Sequence, residues 1–150
     1  MEEDARVFPD WESLYQNQRI ESMPWYNESL DADLESELEG RKILGGKFLD
    51  IGTGPGTQAM RLSERGFTVT ASDLSEAAIR RASIDRDKAA GNINFVVDNI
   101  LNSGFRESEF DFILDRGCFH VIPSEDRLQY ANEKLYNQLN ECVLRVRQQQ

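Results

Sequence analysis

Few residues in this sequence can ligate a soft metal or form a disulfide. The 150 residues include one histidine, His120, and two cysteines, Cys118 and Cys142. A zinc-binding helix needs two histidines, and two cysteines give neither a disulfide framework nor a metal-ligand spacing. We therefore expect no metal site, and a reduced, cytoplasmic protein is the simplest interpretation.

Long apolar runs and an excess of positive charge are also missing. No run of about 18 apolar residues occurs, so no membrane span or membrane partner is expected. The acidic start Met1-Glu2-Glu3-Asp4 has the wrong charge for a signal peptide. The formal net charge is −10, from 27 acidic and 17 basic side chains. Because this excess repels phosphate backbones, we expect no nucleic-acid partner.

The first forty residues predict two helices joined by a turn. Asp10 is the predicted N-cap of the first helix, whose apolar side chains recur at helical spacing. Ser29 is predicted to start the second helix, and Gly40 to end it. The apolar face of the second helix consists of three leucines: Leu30, Leu34 and Leu38.

From residue 41 onward, short apolar segments alternate with amphipathic helices. Strands are predicted at 48–51, 67–71, 94–97 and 110–114, and helices at 57–65, after Ser75 and at 124–139. This order is typical of an α/β fold, a Rossmann-like three-layer arrangement with helices on both faces of a parallel sheet. We expect a single domain, in which residues 1–40 form a helical lid segment and residues 41–150 the Rossmann-like part.

The most informative motif is the loop Gly52-Thr53-Gly54-Pro55-Gly56, between the first predicted strand and the helix that follows. In this context, glycines allow a tight turn and a close approach of a ligand to the backbone. The N–H groups at the start of the helix favour a carboxylate or a phosphate. The loop therefore predicts a site for a nucleotide-type ligand.

Two carboxylates and the loop spacing refine this prediction. Asp73 lies about 20 residues after Gly52, where an acidic side chain accepts hydrogen bonds from ribose hydroxyls; the alternative is a helix-capping role near Ser75. Asp50 would repel a pyrophosphate, but it suits the ammonium group of S-adenosylmethionine (SAM). Thr57 stands where a dinucleotide-binding loop has its third glycine. These features favour SAM over NAD.

Several motifs together resemble class I SAM-dependent methyltransferases. Residues 48–56 resemble motif I of that family, and the resemblance continues through Asp73, Asp98-Asn99-Ile100 and residues 110–120. The Asp115-Arg116-Gly117 triplet, with Pro24-Trp25-Tyr26 upstream, resembles the thiopurine and tellurite-resistance (TehB-like) branch. The resemblance covers roughly residues 20–140, and it implies methyl transfer from SAM to a small-molecule acceptor such as a thiol or a metalloid anion.

The resemblance also implies which residues contact the cofactor. Asp98 would accept the adenine amino group, Asn99 and Ile100 would line the adenine pocket, and Leu74 would pack on adenine or ribose. The full set of implied contacts is Asp50, Gly52, Thr53, Gly54, Gly56, Asp73, Leu74, Asp98, Asn99, Ile100, Asp115, Gly117 and Trp25.

Other roles for some of these residues stay open. Asp98 is also compatible with capping a turn, and Trp25 with core packing rather than closure over the cofactor. Asp115 and Gly117 would lie beside the methionine end. Methyl transfer mainly requires alignment of the reactants, and a general base only where the acceptor must lose a proton. The sequence therefore assigns no catalytic residue. Cys118 and His120 are conceivable as a nucleophile pair, but the pattern favours a packed thiol and a histidine ring that lines the acceptor pocket.

The sequence departs from the family near its C-terminal end. Asn140-Glu141 stands where the family has a Pro-Gly-Gly turn, and residues 142–146 are compatible with a fifth strand or with a helical extension. We expect the sheet to lack the family's last strands and to expose an edge. Catalysis would then be impaired, or a homodimer would complete the sheet, or the chain would be a non-catalytic SAM- or nucleotide-binding domain. An NAD-binding oxidoreductase is a further alternative.

Overall fold

The computed structural model describes residues 10–23, 26–86, 92–105, 109–115, 124–126 and 142–145. The helices are α1 (Trp11–Asn17), α2 (Ala32–Gly40), α3 (Thr57–Glu64) and α4 (Glu76–Arg86). Short 3-10 helices lie at Ile20–Ser22, Ile100–Asn102 and Ser124–Asp126. The strands are β1 (Lys47–Ile51), β2 (Thr68–Asp73), β3 (Ile93–Val97), β4 (Phe112–Asp115) and β5 (Cys142–Arg145).

The five strands form one parallel sheet in the order β3-β2-β1-β4-β5. Strand β1 is central, and the chain continues to β2 on one side of it and later to β4 on the other. In open parallel sheets, ligands bind at the carboxyl ends of the strands at such a reversal of strand order. The predicted α/β fold with a Rossmann-like parallel sheet is confirmed, and its reversal point lies where β1 runs into the glycine loop.

Successive side chains of β1 enter two different cores, because alternate residues of a strand point to opposite faces. Phe48 lies in the core that α2 and α3 cover, where its ring contacts Phe67 edge-on and stacks on Phe112, with both centroids 5.0 Å away. Leu49 lies in the second core, which includes Ile100 and Phe110. Both faces of the sheet are therefore buried, and on the second face the described covering elements are the 3-10 helix Ile100–Asn102 and the segment with Phe105 and Phe110.

The first helix begins as the sequence predicts. The side chain of Asp10 accepts hydrogen bonds from the N–H groups of Glu12 and Ser13 at the start of α1. Helix α1 packs on α4, where its buried Tyr15 lies with Ala77 and Ala78. The interpretation of residues 1–40 as a lid stays a prediction.

The prediction that the second helix starts at Ser29 is wrong by three residues. Asp31 is the N-cap, and its carboxylate accepts from two N–H groups of the first turn, at 2.9 and 3.2 Å. Gln58 of α3 holds the residues before the cap, because its amide donates to the carbonyl of Ser29 and accepts from the N–H of Asp31. Leu30 thus precedes the helix, although it is buried with the two leucines of α2.

The fourth strand also starts later than predicted, at Phe112 rather than Phe110. Asp111 contacts Lys47 of β1 twice: its N–H donates to the carbonyl of Lys47, and its side chain accepts from the N–H of Lys47, both at 2.9 Å. Phe110 meanwhile turns into the second core, where its ring lies edge-on to Phe105 with centroids 5.3 Å apart. Strand β4 therefore begins at Phe112, directly after the contacts of Asp111 with Lys47.

At the C-terminal end, the structure decides between the two predicted forms. Residues Cys142–Arg145 are a fifth strand, parallel to β4, and not a helical extension. Of the predicted helix at 124–139, only a 3-10 turn at Ser124–Asp126 is described, and the rest lies outside the described residues. Strands beyond β5 are not among the described residues, and pairing with a second copy of the chain stays a prediction.

Candidate cofactor site

The glycine loop is tied to the neighbouring strand at the carboxyl edge of the sheet. Its three glycines all have positive φ, 65° at Gly52, 54° at Gly54 and 79° at Gly56, a region that side chains rarely allow. The N–H of Thr53 donates to the carbonyl of Ser72 in β2 at 2.9 Å. The loop is thus a rigid turn whose conformation requires glycine.

Gly56 is needed for packing as well as for the turn. A Cβ at this position would lie 2.9 Å from the Cβ of Ala82 and 2.9 Å from a ring carbon of Phe95. Real Cβ contacts are not this short, so α3 can start this close to α4 and β3 only with glycine. The sequence interpretation assigned the glycines to the approach of a ligand, and for Gly56 the structure adds this contact within the protein.

Asp73 joins the loop to the start of α4. One carboxylate oxygen accepts from the N–H of Gly54 and the other from the N–H of Ser75, both at 2.9 Å. The helix-capping alternative therefore describes part of its role, while the ribose contact stays a prediction. Each carboxylate oxygen has two lone pairs, so these bonds leave acceptor capacity for a ligand.

Asp50 anchors the loop from the other side. Its carboxyl is almost completely buried and accepts from the hydroxyl of Thr53 at 2.7 Å. Asp115, equally buried, ends β4 and pairs in register with Ile51, the residue after Asp50. Two buried carboxylates thus lie at the ends of adjacent strands, below the loop.

Asp98 follows β3 and carries a buried acceptor atom. Its Oδ1 accepts from the N–H of Gly104 at 3.0 Å, whereas its Oδ2 is buried and has no hydrogen-bond partner among the described residues. Its backbone N–H donates to the carbonyl of Asp73 at 3.0 Å, so the two carboxylates follow neighbouring strands. A buried carboxylate oxygen without a donor is costly, and it indicates a donor from outside the described residues, such as a ligand or water.

The residues around Asp98 differ in what they can contribute. Leu74 is 63% exposed, so its side chain is free to cover a ligand. Asn99 uses its side chain to cap the following 3-10 helix through the N–H of Leu101. The side chain of Ile100 lies in the second core. The predicted contacts of these residues stay predictions, as does that of Asp115, and Trp25, Gly117, Cys118 and His120 lie outside the described residues.

One residue beside the site had no signal in the sequence. The carboxylate of Glu12 accepts from the hydroxyl of Ser75 at 2.9 Å and from the N–H of Ala77 at 3.2 Å. An acidic residue in a first turn is common in helices, so nothing in the pattern singles it out. Only the tertiary structure brings α1 to the start of α4.

The two neighbouring carboxylates have opposite pKa shifts. Burial raises the pKa of Asp73, its bonds to N–H groups oppose that rise, and the negative charge of Glu12 adds to it. The hydrogen bond from Ser75 holds the pKa of Glu12 below its usual range. The negative charge of Glu12 therefore acts on the ionisation of Asp73.

Two further findings concern the described residues alone. No helix in the described ranges is long and apolar enough to cross a membrane. Within the same part of the chain, no three histidine, cysteine, aspartate or glutamate side chains are grouped in a way that could hold a metal ion.

Residues 48–140, more than half of the chain, match the family described as Methyltransferase domain. The chain therefore belongs to this family. Its match includes β1, the glycine loop, Asp73 and Asp98, which are the elements of the site described above. The predicted membership of the class I methyltransferases is confirmed at the level of family and fold.

Two curated relatives are similar in sequence. An uncharacterized methyltransferase of Schizosaccharomyces pombe is 33% identical over 83 residues, 55% of this chain and 57% of that protein. The 2-heptyl-1-hydroxyquinolin-4(1H)-one methyltransferase of Mycobacteroides abscessus is 30% identical over 125 residues, 80% of this chain and 55% of that protein. The chain thus spans about half the length of the curated relatives it matches.

Solved structures share the fold. One of them, from work on the conversion of a disulfide bond into a thioacetal group during echinomycin biosynthesis, is 26% identical, with a TM-score of 0.73 over 83% of this chain and 54% of that one. TehB from Haemophilus influenzae is 24% identical, with a TM-score of 0.65 over 74% of this chain and 37% of that one. Similarity to TehB at this identity shows the fold, and the TehB-like branch stays a prediction.

Proposed function

We propose that this chain binds SAM and transfers its methyl group to a small-molecule acceptor. The observation that carries the proposal is that Asp50, Asp73 and Asp98 lie at or just after the ends of three adjacent parallel strands, around one glycine loop. SAM presents hydrogen-bond donors at three points, namely its ammonium, its ribose hydroxyls and its adenine amino group. A carboxylate suits each of these donors.

The charge of the site favours SAM over a dinucleotide. The pyrophosphate of NAD would meet the buried carboxylate of Asp50 next to the loop, whereas SAM carries no phosphate and has a cationic sulfonium. The buried Oδ2 of Asp98, which has no donor in the described part of the chain, fits the amino group of adenine. Asp73 keeps lone pairs for ribose hydroxyls, and the exposed Leu74 would cover the adenosine part.

When bound, SAM supplies an activated methyl group on its sulfonium. The chain's own residues bind and orient the two reactants, which accounts for most of the catalysis such a reaction needs. An acceptor that must lose a proton also needs a base. We infer that Asp115 lies beside the methionine end, because it ends β4 next to the last residue of β1.

One relative supports a small-molecule acceptor in general and does not specify its type. The M. abscessus relative is named for a hydroxyquinolone, and this supports a small-molecule acceptor for the present chain. Membership of the TehB-like branch would add thiols and metalloid anions to the candidates. The net charge of −10 disfavours acceptors that carry many phosphates.

Calorimetric titration with S-adenosylhomocysteine (SAH) tests cofactor binding. We expect saturable heat for the unmodified chain and binding weakened at least about tenfold in Asp73→Ala, which loses its hydrogen bonds to a charged group. Asp33→Ala is the matched control, because Asp33 is an exposed carboxylate in the first turn of α2. Absence of heat, or quenching of tryptophan fluorescence by micromolar NADH instead, would contradict the proposal.

Transfer is tested separately with tritiated SAM. Hydroxyquinolones, thiols and metalloid anions are offered as acceptors, and the label is counted in the extracted product. Label in one of these classes would identify the acceptor. Binding of SAH without transfer to any acceptor would favour the alternative, a SAM-binding domain without catalysis.

A further inference from the structure

The N-terminal helix contributes a side chain to the edge of the cofactor site. Both oxygens of the Glu12 carboxylate accept from the N–H of Ala77, at 3.2 and 3.3 Å, and one also accepts from the hydroxyl of Ser75 at 2.9 Å. The Ser75 hydroxyl in turn accepts from the N–H of Ala78 at 3.1 Å. Glu12 therefore fixes the first turn of α4 from outside that helix.

A short chain of hydrogen bonds continues from this turn to the glycine loop. Ser75 donates its hydroxyl to Glu12 and its N–H to Asp73. The other oxygen of Asp73 accepts from the N–H of Gly54. Three bonds thus join α1 to the centre of the loop, and the predicted ribose ligand Asp73 lies in the middle of them.

The docking of α1 does not depend on Glu12 alone. Tyr15 and Met23 are buried against Ala77 and Ala78, with further apolar contacts from Trp11, Leu14 and Tyr26. Arg81 of α4 also donates to the carbonyl of Gln18, just after α1. Because these contacts remain when Glu12 is replaced, its effect on the site can be measured in a folded protein.

We propose that Glu12 is a positioning residue of the cofactor site, which holds Ser75 and Asp73 in the arrangement that binds the ribose of SAM. The inference rests on the proposed function, since it takes Asp73 as the ribose ligand. Coupling between two sites is reciprocal. Cofactor binding therefore also stabilises the contact between α1 and α4.

The negative charge of Glu12 gives its positioning role a measurable effect on the pH dependence of SAH binding, which packing contacts alone would not have. Among the described residues, the elements next to Asp73 carry the carboxylates Glu12 on α1, Glu76 at the start of α4, Asp98 after β3 and Asp50 in β1. Glu12 adds to the effect of burial in raising the pKa of Asp73. SAH binding that needs ionised Asp73 is lost as the pH falls through that pKa, so removing the Glu12 charge moves the loss to lower pH.

The experiment uses the full chain with Glu12→Ala, Glu12→Gln and the control Glu21→Gln. Glutamine keeps one acceptor oxygen and loses the charge, and Glu21 is an exposed carboxylate in the same N-terminal segment. Circular dichroism checks that each variant is folded. Amide hydrogen exchange by NMR follows the N–H groups of Gly54, Ser75 and Ala77, and calorimetry follows SAH affinity between about pH 4 and pH 7.

We expect Glu12→Ala to weaken SAH binding roughly five- to twentyfold and to speed the exchange of Gly54 and Ser75. Glu12→Gln should lose less affinity, and its pH midpoint for SAH binding should move down. Glu21→Gln should match the unmodified chain in every measurement.

Two results overturn the inference. One is unchanged SAH affinity and pH midpoint in folded Glu12→Ala and Glu12→Gln, and the other is faster exchange at Ala77 alone, which would mark a local helix cap. If the unmodified chain does not bind SAH, the proposed function fails. The exchange of Gly54 then still decides whether Glu12 positions Asp73.

Discussion

The carboxylate of Asp73 accepts a hydrogen bond from the N–H of Gly54, 2.9 Å away, across the gap between β2 and the glycine loop. The predicted ribose ligand therefore also holds the loop in shape before any cofactor arrives. A site built in this way is preorganised, because the acceptor does not have to be moved into place on binding. The ionisation of the Asp73 carboxyl therefore affects both the stability of the fold and cofactor binding.

The first prediction concerns the pH dependence of stability. Because the pKa of Asp73 is raised from 3.8, the folded chain holds this proton more tightly than the unfolded chain. The stability that this protonation contributes is fully present below the unfolded-state pKa of 3.8, and it is lost as the pH rises through the higher pKa of the folded chain. We expect Asp73→Asn to remove this decline in a series of urea denaturations. Asp33→Asn, which replaces an exposed carboxylate, should keep the decline. If stability depends on pH equally in both variants, Asp73 is not the group responsible.

The second prediction concerns the space around Gly56. Alanine would place its Cβ 2.9 Å from both Ala82 and Phe95 and would have to adopt a φ of +79°. We expect Gly56→Ala to lower the free energy of unfolding by about 1–3 kcal/mol, measured by urea denaturation. Gly40→Ala is the control, because nothing lies within 4 Å of a Cβ there. Equal stability of the two variants would show that the loop can relax.

The third prediction concerns the buried Oδ2 of Asp98. In Asp98→Asn, the Oδ1 bond to Gly104 can remain, so stability should hardly change, while an amide N–H₂ would face the adenine amino group. We expect SAH binding to weaken by about tenfold. S-inosylhomocysteine, whose purine presents a carbonyl instead of the amino group, should show the reverse preference. If both ligands weaken equally, Asp98 does not read the purine.

The fourth prediction concerns the hydroxyl that serves Asp50. Thr53→Val keeps the shape of the side chain but removes the donor to a buried carboxylate at 2.7 Å. We expect a loss of about 1–3 kcal/mol in the free energy of unfolding. Thr53→Ser keeps the hydroxyl and should lose clearly less. Should the serine variant be the less stable of the two in thermal unfolding, the methyl group and not the hydroxyl would be the stabilising part.

Much of the fold could be predicted because its signals are local. A few consecutive residues are enough to predict each of the strands β1 to β4, the cap at Asp10 and the glycine loop. The structure confirms them, with β4 starting two residues later than predicted. The predicted start of α2 was wrong, because serine and aspartate are both favoured as N-caps and only Ser29 was chosen. The N–H of Asp31 donates to the side chain of Gln58, and this contact, which bears on that choice, spans 27 residues.

The sequence pointed to the candidate cofactor-binding residues, but not to the residues that hold them in place. The carboxylates Asp50, Asp73 and Asp98 follow strands, so parallel topology alone brings them to one edge. Glu12 could not be found, because its partner Ser75 is 63 residues away and the contact depends on how α1 packs. The steric role of Gly56 likewise depends on Ala82 and Phe95, which no spacing rule connects to a glycine loop.

Gln58, in the first turn of the helix that follows the glycine loop, has consequences for which sequences this fold tolerates. Its amide donates to the carbonyl of Ser29 and accepts from the N–H of Asp31, so both ends of the group are occupied. Glutamate lacks the donor, lysine lacks the acceptor, and methionine lacks both. In a saturation library selected for folded protein, glutamine should be recovered at this position far more often than at the exposed Gln16, which α1 carries on its surface.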